Sequence, residues 1–218
     1  MLSLNSISLD NMLPKVFVGQ EPCGDPSDIW LHQVKFSRGE TILLQAESGR
    51  GKTSLCSYIA QLRSDYIGQL HYLDEQGTEL CIEPSELLRQ HIGVMFQEHR
   101  LFADLSAVEN VMLKNQLTQY TTEHEVRQQL TRLGLADRMD CPCSMLSLGQ
   151  QQRVAFVRAL CQPCSFLLLD EPVSHLDPAN AAVMAEMVHE RQAADDLCLI
   201  VTSVGHHLPS DFSQIYKL

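Results

Sequence analysis

Residues 44–55, LQAESGRGKTSL, have the composition of a loop that holds phosphate. An apolar run, Thr41-Ile42-Leu43-Leu44, leads in, and a helix-like run, Leu55, Ile59 and Leu62, leads out. A strand that turns sharply into a helix makes the backbone N–H groups from Gly49 to Ser54 converge on one point. That concavity and the positive end of the helix attract anionic oxygens. Gly49 and Gly51 let the backbone approach closely, Lys52 brings a mobile positive charge to the terminal phosphates, and Thr53 offers its hydroxyl to Mg²⁺. The nucleotide-binding set is Ser48, Gly49, Arg50, Gly51, Lys52, Thr53 and Ser54. Ala46 stands where this loop pattern has its first glycine, farthest from the phosphates, and its methyl is expected to be tolerated.

A second element completes the chemistry. Phe166-Leu167-Leu168-Leu169 ends in Asp170-Glu171-Pro172. Four apolar residues followed by two acids describe a buried strand that delivers carboxylates to the C-terminal edge of a sheet, where ligands bind in open α/β folds. Asp170 is expected to orient Mg²⁺ through its water shell. Glu171 is expected to face an attacking water as general base.

These loops need a scaffold, and the spacing of apolar residues supplies one. Leu4, Ile7 and Leu9 lie in an alternating stretch, residues 3–18, that reads as an edge strand or hairpin. Ser106-x-x-Glu109, Thr122-x-x-Glu125 and Ser147-x-x-Gln150 are capping boxes that open three helices. Asp177-Pro178 opens another, between strands expected at 166–169 and 197–202. Strands alternating with helices argue for a parallel sheet. The helical stretch that begins near residue 98 interrupts that alternation and reads as an insertion. At 218 residues the chain buries one substantial core.

Composition narrows the class. Sixteen basic against 27 acidic side chains give a net charge of -11, which argues against a nucleic-acid surface. No apolar run approaches membrane-spanning length, and the first residues lack the basic start and long apolar stretch of a secretory signal. Cys141-x-Cys143 and Cys161-x-x-Cys164 lack a second pair at zinc spacing and read as reduced thiols. A cytosolic setting follows.

The segment LSLGQQQR, residues 146–153, makes the pattern specific. The chain resembles the nucleotide-binding subunit of an ATP-binding cassette (ABC) transporter, whose signature reads L-S-G-G-Q. The motifs fall in family order: the phosphate loop at 46–53, Gln97 within VMFQEHRLF, the signature at 146–150, the acidic strand at 166–171 and the D-loop SHLD, Ser174 to Asp177. The resemblance implies an α/β fold: a P-loop NTPase core with a mainly parallel sheet, an N-terminal antiparallel β subdomain and an inserted α-helical subdomain. One domain would span 1–218, with 1–97 and 151–218 as core and 98–150 as the helical signature part.

The resemblance also implies a mechanism. Two copies pack head to tail around two ATP molecules. Ser147, the Gly149 amide and Gln150 of one copy meet the γ-phosphate on the other. Gln97 reaches Mg²⁺ and the water, so Thr53, Gln97 and Asp170 form the metal set. Phe17 is the aromatic expected to stack on adenine, with Trp30 as the alternative across the loop GQEPCGDPSD. The segment after Gln97 resembles the surface that grips an integral membrane permease. The compact form is similar to subunits serving lipoprotein-release, cell-division or macrolide-export permeases, with small-solute importers as the alternative. No further regulatory domain is expected after DFSQIYKL, and no nucleic-acid partner.

Two positions depart from the family. Leu148 replaces the first glycine of the signature pair and is read as a substitution pointing away from ATP. Ser203 follows Val201-Thr202, where the family has a histidine on the γ-phosphate. The catalytic set is therefore Glu171, Gln97 and, in the switch position, Ser203. His206 and His207 are expected to be solvated turn residues. The expected function is an ATPase subunit, bound at the cytoplasmic face through its permease, with slow hydrolysis. The alternative is a hydrolysis-impaired, ATP-gated dimerisation module.

Overall fold

A computed structural model describes residues 3–19 and 26–218. In chain order its elements are β1 (Ser6–Pro14), a 3₁₀ turn (Lys15–Phe17), β2 (Gln33–Ser37), β3 (Thr41–Gln45), α1 (Lys52–Ile59) and β4 (Tyr66–Leu73). Next come α2 (Pro84–Glu86), which runs into a π-helical turn (Leu87–His91), β5 (Ile92–Met95), α3 (Ala107–Asn115) and α4 (Glu123–Arg132). The chain ends with α5 (Leu148–Leu160), β6 (Phe166–Asp170), α6 (Pro178–Asp195), β7 (Cys198–Ser203) and β8 (Gln214–Lys217).

β3 and β5 to β8 form a parallel sheet in the order β5-β6-β7-β3-β8. Its central strands are continuous apolar runs, because both faces are covered. Alternate side chains then serve two cores. Leu43, Leu167, Leu169, Leu199 and Val201 face a core shared with α3 to α6. Ile42, Leu44, Phe166, Leu168 and Ile200 face the other, shared with α1 and the antiparallel strands.

β1, β2 and β4 form the antiparallel sheet, with β1 in the middle. This corrects the expectation of an edge strand. Alternation reveals a half-buried face, but it carries no information on which backbone edges are paired. A second correction concerns Leu62. α1 stops at Ile59, Gln61 turns the chain at φ +52°, and Leu62 is left exposed.

All three capping boxes form as expected at Ser106, Thr122 and Ser147. Asp177 caps α6 by accepting from the Asn180 amide. α5 carries the signature at its start and then runs into the core. Val154 and Val157 pack with Val108 and Val111 of α3 and Val126 and Leu130 of α4. The boundary drawn at 150/151 thus falls inside one helix. Residues 20–25 of the loop between Phe17 and Trp30 lie outside the described residues.

Candidate functional site

Three adjacent strands end at one edge of the parallel sheet. β3 delivers the phosphate loop, β6 delivers Asp170 and Glu171, and β7 delivers Thr202 and Ser203. Pairing of Asp170 with Thr202 sets the two side chains beside each other.

The loop has the conformation its residues require. Gly49 and Gly51 have φ of +81° and +95°, a region that side chains disfavour. A Cβ on Gly51 would also stand 3.0 Å from the Trp30 ring and 3.3 Å from that of Phe17. Lys52 opens α1 behind this turn. Its Nζ donates to the carbonyls of Ala46, at 3.0 Å, and Glu47, at 2.9 Å, and lies 3.4 Å from a Glu171 oxygen. The first amides of α1 have no carbonyl one turn earlier to bond, so they are available to an anion. Ser48 and Gly49 are exposed on the rim. Ser54 Oγ accepts from Arg63, and Arg50 Nε donates to the Leu218 carbonyl, so these two give the loop their backbone.

The carboxylates have distinct environments. Asp170 is fully buried and accepts from Thr53 Oγ1 at 2.6 Å and Thr202 Oγ1 at 2.5 Å. Glu171 sits at φ +50°, an uncommon conformation for a residue with a side chain. Its amide donates to Thr202 Oγ1, its Oε2 accepts from Gln97 Nε2 at 3.1 Å, and its other oxygen faces Lys52. Lys52, Thr53, Gln97, Asp170 and Glu171 therefore form one connected cluster. Oxygen donors on a helix N-terminus and two strand ends suit a phosphate chain with a hard cation.

The signature lies elsewhere on the same molecule. Ser147 caps α5, accepting from the Gln150 amide at 3.3 Å, and Gln150 Oε1 accepts from the Ser147 amide at 2.9 Å. Ser147 and Leu148 are exposed. Among the described residues no hydrogen bond or ion pair joins 147–150 to 46–54. The structure thus brings the loop and acidic residues together and leaves the N-terminal end of the signature helix exposed.

A family model described as "ABC transporter" matches residues 32–174. The chain belongs to the ABC transporter family. It is similar to the lipoprotein-releasing system ATP-binding protein LolD of Zymomonas mobilis subsp. mobilis, at 36% identity over 152 residues. That match covers 67% of this chain and 65% of the relative, so the chain spans just under two thirds of it. LolD of Novosphingobium aromaticivorans is 34% identical over 75% of each chain. The macrolide export ATP-binding/permease protein MacB of a Shewanella species is 33% identical over 78% of this chain and 27% of its own length. Among solved structures, a dimeric form of the bacterial ABC transporter cassette MJ0796 superposes with a TM-score of 0.73 at 24% identity, covering 90% of this chain and 87% of that one. That likeness shows the ABC cassette fold.

Within this cassette the two upstream aromatics differ. Trp30 is buried, and its Nε1 donates to the Arg50 carbonyl, bracing the back of the loop. Phe17 is half-buried beside Gly51. Ser203 is buried, and its hydroxyl accepts from the Gly205 amide and donates to the His206 carbonyl, both at 2.9 Å. It builds its own turn. His206 and His207 are exposed, as expected. Leu148 is 57% exposed and points to solvent.

Two residues at the site went unread in the sequence. Thr202 was visible only as an apolar strand's last threonine, yet it positions both acids. Gln152 is 1% exposed. It donates to the Glu171 carbonyl at 3.0 Å and to Ser174 Oγ at 3.2 Å, and accepts from the His175 amide at 3.1 Å. The available signal was a glutamine on the buried face of α5, where an unpaired amide would be costly.

Gly149 explains why the signature keeps one glycine. A Cβ there would lie 2.6 Å from the His175 carbonyl oxygen. Gly149→Ala improves helix propensity by up to about 1 kcal/mol. Overpacking against rigid backbone costs about 1–3 kcal/mol, so the clash wins. We expect the melting temperature to fall by a few degrees in calorimetry, with ATP turnover reduced as well.

Proposed function

We infer that this cassette binds and hydrolyses ATP in a head-to-tail dimer of itself, and that closure of the dimer drives a separate integral membrane permease. The observation that carries this reading is the division of the site. One surface holds a phosphate loop with its acids, and a second presents an exposed helix N-terminus, so two copies can supply both halves to one nucleotide. Ser147, Gly149 and Gln150 would meet the γ-phosphate held by Lys52 of the other copy.

In the reaction, water oxygen bonds to the γ-phosphorus as the bond to the bridging oxygen breaks. ADP leaves with that electron pair, and inorganic phosphate is the other product. Glu171 accepts the water proton, and Gln97, bonded to Glu171, orients the water. Thr53 and Asp170 would hold Mg²⁺, with Gln97 at its edge. Their donors are all oxygens, as this ion prefers, and phosphates and waters complete its shell. When bound, the ion neutralises charge on the phosphate oxygens.

The permease half of the reading has separate support. The names of LolD and MacB describe lipoprotein release and macrolide export. Phe102 and Leu117 are more than half exposed in and after the segment that follows Gln97. No helix among the described residues is long and apolar enough to cross a membrane, so a span must come from another polypeptide or segment. A cassette that drives a permease with ATP would sit on the cytoplasmic face of the membrane.

A second reading is favoured by Ser203. Its hydroxyl is used within its own turn, so Ser203 itself brings neither an imidazole nor a free hydroxyl to the γ-phosphate. A cassette so built clamps on ATP with little turnover. Phosphate release by the purified protein separates the two readings. Steady-state release from ATP, abolished by EDTA, is expected for the transport ATPase. ATP-dependent dimerisation without release assigns the clamp. Absence of ATP binding ends both.

A further inference from the structure

Ser203 leaves the cassette without an imidazole in the switch position. Among the described residues no histidine ring is hydrogen-bonded to Lys52, Thr53, Gln97, Asp170 or Glu171. His207 Nδ1 lies 3.0 Å from the Leu208 carbonyl, and its ring packs edge-on against Phe212. His206 stands on the same exposed turn, with its carbonyl tied to Ser203. His99 is buried at φ +58°, and its carbonyl accepts from Arg158 at 2.5 Å. His175 is exposed, turns its ring edge-on to His99 at 6.4 Å, and lies four residues beyond Glu171 in the loop between β6 and α6.

That loop is fixed to the signature helix. The buried Gln152 side chain holds the Glu171 carbonyl, Ser174 Oγ and the His175 amide together. The His175 carbonyl lies where a Gly149 side chain would begin. Any surface that receives the N-terminus of α5 therefore also receives His175.

The ring is prepared as a donor. Ser174 Oγ accepts from Gln152, and its own hydrogen can be given to His175 Nδ1, 3.0 Å away. With Nδ1 accepting, a neutral imidazole carries its proton on Nε2. Among the described residues Nε2 has no hydrogen-bond partner.

We propose that His175 of one protomer donates from Nε2 to the terminal phosphate held by Lys52 of the other, supplying in trans the imidazole that Ser203 does not. Its contribution is a hydrogen bond to oxygens on which charge builds as the bond to ADP breaks. No proton is transferred by His175, and Glu171 remains the base. The inference rests on the dimeric ATP site proposed above and names a further residue of that site.

The test combines substitution with subunit mixing. His175→Ala is expected to lower turnover about a hundredfold, as loss of one phosphate donor does, with Mg-ATP still bound and the dimer still formed. Ser203→His added to His175→Ala is expected to restore turnover. Mixing His175→Ala protein with Glu171→Gln protein then decides the geometry. Each is nearly inactive alone, but a mixed dimer holds one site with Glu171 from the first subunit and His175 from the second. Activity well above the sum of the separate proteins supports the proposal. No gain on mixing, or wild-type turnover in His175→Ala, overturns it. A wild-type protein that dimerises on Mg-ATP without hydrolysing it overturns the inference and leaves the dimeric site standing. Failure to bind Mg-ATP overturns both.

Discussion

Replacement of Glu171 by glutamine is expected to lower ATP turnover about a hundred- to ten-thousandfold, the range for loss of a general base. Nucleotide should stay bound. Glutamine keeps the length and volume of glutamate, and its amide can still bond Gln97, now 3.1 Å from the carboxylate. What disappears is the ability to take a proton. The substitution also removes a negative charge 3.4 Å from Lys52, which frees that ammonium for phosphate. Affinity for Mg-ATP should therefore hold or increase. Steady-state phosphate release beside equilibrium binding of a fluorescent ATP analogue would measure both. Turnover within threefold of wild type would remove Glu171 from the role of base.

Lys52→Ala has the opposite signature, because it acts on binding. Lys52 is 5% exposed and directs its ammonium to two loop carbonyls and to Glu171. Phosphate would replace those partners with stronger, fully charged ones. A charge-assisted hydrogen bond of this kind is worth about 1.5–3 kcal/mol, or roughly ten- to 150-fold in affinity. The loop carbonyls of Ala46 and Glu47 also lose their donor, so the unliganded protein should melt slightly earlier. Mg-ATP titration by calorimetry, with a thermal melt as control, reads both effects. Unchanged affinity would place the phosphates away from this loop.

Much of this site was legible in the sequence because each motif joins a backbone need to a side-chain need. Gly51 has to be glycine for its φ and for the rings of Trp30 and Phe17. Asp170 and Glu171 announce themselves by ending an apolar run. The three capping boxes pair residues three apart, so local spacing is sufficient to find them. The central place of β1 was hidden because its partners β2 and β4 are chosen by long-range pairing. Gln152 and Thr202 were hidden for a related reason. Each acts through residues distant in sequence, and neither type signals its role alone. Trp30 against Phe17 could not be ranked from spacing, whereas burial and the bond to the Arg50 carbonyl separate them. Ser203 was visible as a departure, but only the structure shows its hydroxyl spent on its own turn.

The measurement closest to the centre of this account is the mass of Glu171→Gln protein in solution, by light scattering on a sizing column, with and without Mg-ATP. Two copies that share each triphosphate should give a monomer without nucleotide, a dimer with Mg-ATP, and a monomer again when Ser147 is replaced by glutamate. A protein that binds Mg-ATP tightly and stays monomeric would contradict the shared site.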